Sequence, residues 1–268
     1  MRLDVYLAEK KIVRSREKAH ELIIGGGVEK NGSICLKPSA QVTDEDIVNI
    51  VGELPRYVGR GGEKLAKALK VFSISVEGKK CVDIGASTGG FTDCLLQNGA
   101  ASVYAVDVGH GQLDDALKND PRVIDMEGTD IRTLTADSFA GCADFVCCDV
   151  SFISLSHIFP VIKDIMSENG CAAVLVKPQF ECGRAGIGKN GIVRSHKVHE
   201  RVLMEIICSA GTNGLGVYAL DHSPICGGDG NIEYLAYIRH GAAQCAFEVG
   251  NIVDSAFSAL GRKGKSVK

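Results

Sequence analysis

From Lys80 onward the chain alternates short apolar strand patterns with helical ones, and a glycine-rich turn, GASTGGF, joins the first such pair. The segments CVDIG, SVYAVDV, RVIDM, DFVCCDV, CAAVLVKP, VYALDHSPI and EYLAYIR read as strands, with helical periodicity over 90–97, 156–166 and 197–209. This alternation predicts an α/β fold with a mainly parallel sheet and helices on both faces. Ligands of such sheets sit beyond the C-terminal ends of the strands. Gly85, Asp107, Asp149 and Lys177 all fall at strand ends.

The first 55 residues follow a different rule. Leu3, Tyr6 and Leu7 recur at helical spacing, and Ser15 is a plausible cap for a second helix carrying Ala19, Leu22 and Ile23. Gly25, Gly26 and Gly27 end that helix. Strand-like pieces follow around Val28, Ile34 and 47–51, separated by the turns Asn31-Gly32 and Lys37-Pro38. The expected organisation is a small α+β module over 1–55, then a linker and domain start over 56–78 that carries Lys64. The α/β domain follows over 79–245, with a C-terminal helix and basic tail over 246–268.

Charge and cysteine usage exclude several classes. Residues 1–70 hold 13 Lys and Arg against 10 Asp and Glu, a balance of +3, so the net −3 of the whole chain leaves −6 for the remainder. Lys10, Lys11, Arg14, Arg16 and Lys18 crowd the junction of the two N-terminal helices, a candidate nucleic-acid face. No apolar run reaches the ~18 residues of a membrane span, and the N-terminus is charged and amphipathic rather than a signal peptide. The 11 cysteines include no C-x-x-C pair, so buried free thiols in a reducing cytoplasm are expected, with no metal site. His196 and His199 lie three apart with no third ligand near them. Ser151 and Ser154 lack the G-x-S-x-G elbow of a hydrolase.

The glycine turn carries the first chemical signal. Glycines at 85, 89 and 90 let backbone approach a ligand, and the turn opens a helix whose free N–H groups favour an anionic group. Ser87 replaces the second glycine of the dinucleotide fingerprint, and no Walker lysine follows. Asp107 ends the next strand, where an acid binds ribose hydroxyls. S-adenosylmethionine satisfies these features, with Asp83, Gly85, Ser87, Thr88, Gly89, Gly90, Phe91 and Asp107 as expected contacts and Asp130 beside the adenine.

Taken together, YVGRGGEKL, VDIGASTGGFTD, DVSFISL, KPQFE and SPICGGDGNIEYL resemble the FtsJ-like 2′-O-ribose methyltransferases. The stretch RLDVYLAEKKIVRSREKAHELIIGGGVEKNG with KPSAQV resembles the S4 RNA-binding module. Their order, to about residue 245, is similar to that of the TlyA (hemolysin A-like) ribosomal RNA methyltransferases. The resemblance implies a Rossmann-like catalytic domain after an S4 module, and a Lys-Asp-Lys-Glu tetrad at Lys64, Asp149, Lys177 and Glu233. In that tetrad Lys177 is the base, Lys64 tunes it, Asp149 holds its amine, and Glu233 fixes Lys64 and the ribose. It also implies RNA contacts from Lys10, Lys11, Arg14, Arg16, Lys18 and Arg60, with ribosomal RNA as partner. The implied target is a cytidine of 23S rRNA, joined in some members by one of 16S rRNA. Since the chain begins almost at its first helix, 23S rRNA alone is the expectation, with a monomer favoured. A noncatalytic RNA-binding protein and a membrane-lytic protein are the competing readings.

Overall fold

The computed structural model describes residues 1–13, 15–52, 56–242 and 247–261. Arg14, the expected boundaries at 55 and 245, and the tail from 262 onward lie outside the described residues. The chain divides into two compact units, Met1–Val58 and Gly59–Lys268.

In the first unit, α1 (Leu3–Glu9) and α2 (Arg16–Ile24) precede β1 (Val28–Lys30), β2 (Ser33–Ile34) and β3 (Val48–Ile50). Ser15 caps α2 as its residue type suggests, its hydroxyl accepting from the Lys18 amide at 3.3 Å. Asn31 and Gly32 both take positive φ (53° and 79°), which a two-residue hairpin turn matched to strand twist requires. They close β1 onto β2, and the antiparallel order is β2-β1-β3. Leu3, Leu7, Ala19, Ile23 and Val28 are fully buried and form this unit's core.

The second unit holds a seven-stranded sheet in the order β6-β5-β4-β7-β8-β10-β9. Its strands are β4 (Lys80–Ile84), β5 (Ser102–Asp107), β6 (Val123–Glu127), β7 (Ala143–Cys148), β8 (Met166–Val176), β9 (Leu215–His222) and β10 (Tyr234–His240). β4 pairs in parallel with β5 and β7, as do β5 with β6 and β7 with β8, whereas β10 is antiparallel to both neighbours. The sheet is thus mainly parallel, as the alternation predicts. Around it lie α3 (Gly61–Val71), α4 (Gly90–Gln97), α5 (Asp115–Lys118), α6 (Phe159–Ile165), α7 (Pro178–Glu181), α8 (His196–Thr212) and α9 (Val249–Leu260). The helical pattern over 156–166 resolves into a 3-10 turn at Leu155–His157 followed by α6, because Pro160 suits only the first turn of a helix.

Residues 61–71, expected within a linker, form α3. Leu65, Ala68 and Leu69 are buried on one face, and Phe72 beyond the helix end stacks on Tyr237 of β10 at 5.8 Å. At Gly90 a Cβ would stand 3.1 Å from both the Gly59 carbonyl and the Gly62 amide, so a side chain there would press the starts of α4 and α3 apart by a few tenths of an ångström. Among the described residues no helix is long and apolar enough to cross a membrane.

Candidate active site

Parallel strands β4, β5, β7 and β8 end along one edge of the sheet, and their following residues meet there. Because β10 runs antiparallel to β8, with Tyr234 opposite Val176, its beginning meets the end of β8. Glu233, just before β10, therefore reaches the edge where Lys177 follows β8 and Asp149 follows β7.

The four tetrad candidates form a chain of alternating charge. Lys177 Nζ lies 2.6 Å from Asp149 Oδ1, and Asp149 Oδ2 lies 3.9 Å from Lys64 Nζ. Lys64 in turn donates to Glu233 Oε2 at 2.6 Å. Lys64, Lys177 and Glu233 are buried, at 7%, 8% and 2% exposure, so little water competes for these charges. The Lys177–Asp149 contact is an ion pair without hydrogen-bond alignment, since Oδ1 has no hydrogen-bond partner. The amine instead donates to Ser151 Oγ at 2.9 Å. Ser151, unassigned on sequence grounds because it lacks the G-x-S-x-G elbow, is thus part of the cluster. The nearby Phe152, 90% exposed at φ 64°, packs against Phe180 at 4.9 Å.

Two cavities share this edge. The larger, about 840 Å³, is lined by Gly85, Ser87, Asp107 and the 149–154 segment, and by Asp130, Ile131 and Arg132 on its far side. Its volume falls within the roughly 300–1,000 Å³ of small-molecule sites. The smaller, about 230 Å³, is lined by Arg60, Gly61, Thr88, Gly90, Phe91 and Lys177. Gly85, Ser87, Asp149 and Ser151 line both.

The residues of the larger cavity suit an adenosyl ligand. Gly85 takes φ 84° with Asp149 backbone closely behind it, and a Cβ there would lie 2.6 Å from the Asp149 carbonyl. Asp107 accepts the Ser87 amide at 2.8 Å on Oδ2 and the Gly109 amide at 2.7 Å on Oδ1. Each oxygen keeps a lone pair for a hydroxyl donor such as a ribose diol. Val106, Val108, Ile131, Ile153 and Ile158 supply apolar wall for a flat base. Asp130 lines the wall, but both its oxygens are engaged by Arg132, the shortest contact being 2.6 Å to Nη2.

Other expected contacts are placed differently. Asp83 lines neither cavity. It is fully buried in β4, where its carboxylate accepts from Thr92 Oγ1 at 2.7 Å, and burial pushes its pKa up to about 7. Gly89 caps α4 at φ 92°, and a Cβ there would drive into Leu113 and Leu117 rather than into a cavity. His199 is fully buried between Tyr234 and the Val193 carbonyl, and its pKa is lowered by burial. Among the described residues no His, Cys, Asp and Glu group could hold a metal ion.

In the first unit, Lys10 and Lys11 are exposed. Arg16 is held by the buried Asp4 at 3.0 Å and Lys18 by Glu21 at 2.7 Å. Arg2 also grips Asp4 with two hydrogen bonds of 2.9 Å, and these, with Arg16, hold the Asp4 carboxyl well below the usual range.

The FtsJ-like methyltransferase model matches residues 57–240, and the S4 domain model matches residues 1–48. YqxC of Bacillus subtilis, which carries an rRNA methyltransferase name, is 48% identical over 239 residues, 89% of this chain and 85% of its own. TlyA of Mycobacterium tuberculosis, named as a 16S/23S rRNA (cytidine-2′-O)-methyltransferase, is 41% identical over 89% of each chain. A solved structure from Streptococcus thermophilus that carries a hemolysin name superposes with a TM-score of 0.79 at 43% identity, covering 98% of this chain and 97% of that one. The family match over 57–240 and the identities with these relatives show that this chain belongs to the FtsJ-like methyltransferase family, with an S4 domain at its N-terminus, and takes its methyl group from S-adenosylmethionine.

Proposed function

We propose that this enzyme methylates the 2′-hydroxyl of a cytidine ribose in 23S rRNA, with Lys177 as the general base. The observation that carries the reading is the junction of the two cavities at Gly85, Ser87, Asp149 and Ser151, with the Lys177 amine on the wall of the smaller one. When bound, the donor supplies an electrophilic methyl group on a sulfonium. Gly85, Ser87 and Asp107 hold it in the larger cavity, and the ribose enters the smaller one. The 2′-oxygen would attack that methyl carbon as its bond to sulfur breaks, with Lys177 Nζ taking the hydroxyl proton. A lysine accepts a proton only in its neutral form. Lys177 is buried, and Lys64 stands on the far side of Asp149. Asp149 and Ser151 aim the amine, and Glu233 fixes Lys64. The exposed cations of the first unit, Lys10 and Lys11 among them, meet RNA phosphates.

The test is incubation of the purified protein with tritiated S-adenosylmethionine and separated ribosomal subunits, followed by nucleoside mapping. Label in 2′-O-methylcytidine of 23S rRNA is expected. RNA binding without label would leave a noncatalytic RNA-binding protein.

A further inference from the structure

Two glycine-rich loops flank the tetrad, one over 182–194 after Lys177 and one over 224–232 before Glu233. Asn231, 1% exposed, clips them together. Its Oδ1 accepts from the Val193 amide at 2.9 Å, and its Nδ2 donates to the Gly191 carbonyl at 3.0 Å. Its own carbonyl accepts from the Gly227 amide at 2.8 Å. His199 adds a second tie, to the Val193 carbonyl at 3.0 Å and to the Tyr234 hydroxyl at 2.7 Å. Tyr234 is the neighbour of Glu233, so the first loop is fastened to the strand that begins just after a tetrad residue. Such anchoring of a long exposed loop by two buried side chains exceeds what a simple connection needs.

The outward face of the first loop is cationic. Arg184 and Arg194 are exposed, and among the described residues neither guanidinium has an ion-pair or hydrogen-bond partner. Asp229, exposed on the second loop, pairs with neither of them. Arg16 and Lys18 of the first unit, by contrast, are already occupied by carboxylates. An unpaired guanidinium offers a planar fork matched to phosphate oxygens.

We infer that the loop over 183–194 seats the RNA strand on either side of the target ribose, with Arg184 and Arg194 each taking a backbone phosphate. Asn231 and His199 are positioning residues that hold this seat at a fixed distance from Lys177 and Glu233. The inference rests on the ribose-methylation reading above and adds the surface that would present the ribose.

The experiment uses the full-length protein and purified large ribosomal subunits. It compares wild type, Arg184→Glu/Arg194→Glu, Asn231→Ala and Asn231→Asp. Subunit binding, single-turnover methylation against subunit concentration, and cofactor binding by calorimetry are measured for each. The double arginine variant should raise the half-saturating subunit concentration about tenfold or more, as for lost charge-assisted hydrogen bonds. Its binding should also lose salt dependence, by roughly one unit of log–log slope per phosphate contact. Cofactor affinity should be unchanged. Asn231→Ala should shift half-saturation more than the saturating rate. Asn231→Asp, which keeps the acceptor for Val193 but loses the donor to Gly191, should fall between. Unchanged half-saturation and salt slope in the double arginine variant would overturn the inference, as would a fall in saturating rate alone. If wild type binds subunits without methylating them, the reaction assignment fails, and the binding data still decide the role of the loop.

Discussion

Each tetrad lysine has a carboxylate 2.6 Å away, Asp149 for Lys177 and Glu233 for Lys64, so loss of either acid strands a buried cation. The two lysines differ in what they can reach. Lys177 borders the smaller cavity, whereas Lys64 is not among its lining residues. Lys177→Ala should therefore keep cofactor and RNA binding while lowering the single-turnover rate by roughly 100-fold or more. Lys177→Arg should not rescue the rate, because a guanidinium stays protonated. A near-normal rate in the arginine variant would show that position 177 supplies charge alone. Asp83 makes a separate pH prediction. Its folded pKa of about 7 lies above the unfolded value of roughly 3.9. The folded state thus binds more protons between those values, and stability from this group is lost as pH rises through 7. Asp83→Asn should abolish that loss, so urea unfolding of wild type should weaken from pH 5 to pH 8 more than that of the variant. Parallel curves would exclude Asp83 as the titrating group.

At the level of elements, α3 shows how a helix places a charge. Lys64 occupies its first turn and is buried along with Leu65, Ala68 and Leu69, so the lysine is only as fixed as that packing. Leu65, fully buried, should cost about 2–5 kcal/mol of stability when replaced by alanine, measurable by denaturant unfolding. The helix was legible as Leu65, Ala68, Leu69 and Phe72 at spacings of three, four and seven, but its two opening glycines and basic flank read as linker. The strands were legible from their apolar runs, since a sheet covered on both faces leaves little doubt about such segments. Their neighbours were not. Nothing in the periodicity of EYLAYIR states that β10 is antiparallel and lies between β8 and β9, which is what carries Glu233 to Lys64. Hence Glu233 could be named from family resemblance and not from spacing. Ser151 was hidden for the same reason: its partner is a lysine 26 positions away, brought close by the parallel pairing of β7 and β8. Asp83 erred the other way, because a strand-borne acid beside a glycine turn reads as a ligand contact whether it faces the cavity or the core.

Across the whole molecule, two separate cores support a division of labour. Leu3, Leu7 and Ile23 belong to one cluster, and Val82, Phe159 and Tyr234 to another. Each unit therefore buries its own apolar surface, the requirement for folding alone. A protein lacking residues 1–58 should keep its α/β unit and bind S-adenosylmethionine with wild-type affinity, since every lining residue of both cavities lies at or beyond Gly59. It should nonetheless fail to methylate ribosomal subunits at concentrations where the whole chain works. The first unit is balanced overall, with 9 Lys and Arg against 9 Asp and Glu over 1–58, so its local crowding of cations over 10–18, rather than net charge, would supply the electrostatic contact with phosphates that dominates affinity for nucleic acid. Because Asp4 and Glu21 already occupy Arg16 and Lys18, the exposed pair Lys10 and Lys11 should contribute more to that affinity than either of them. Lys10→Glu/Lys11→Glu in the full chain should then reproduce part of the deletion, with the defect relieved at low salt. The measurements are calorimetry for the cofactor and a salt series of subunit methylation for the truncated and substituted proteins. A truncated protein that methylates subunits as well as the full chain does, at equal concentration and salt, would remove the first unit from substrate recognition.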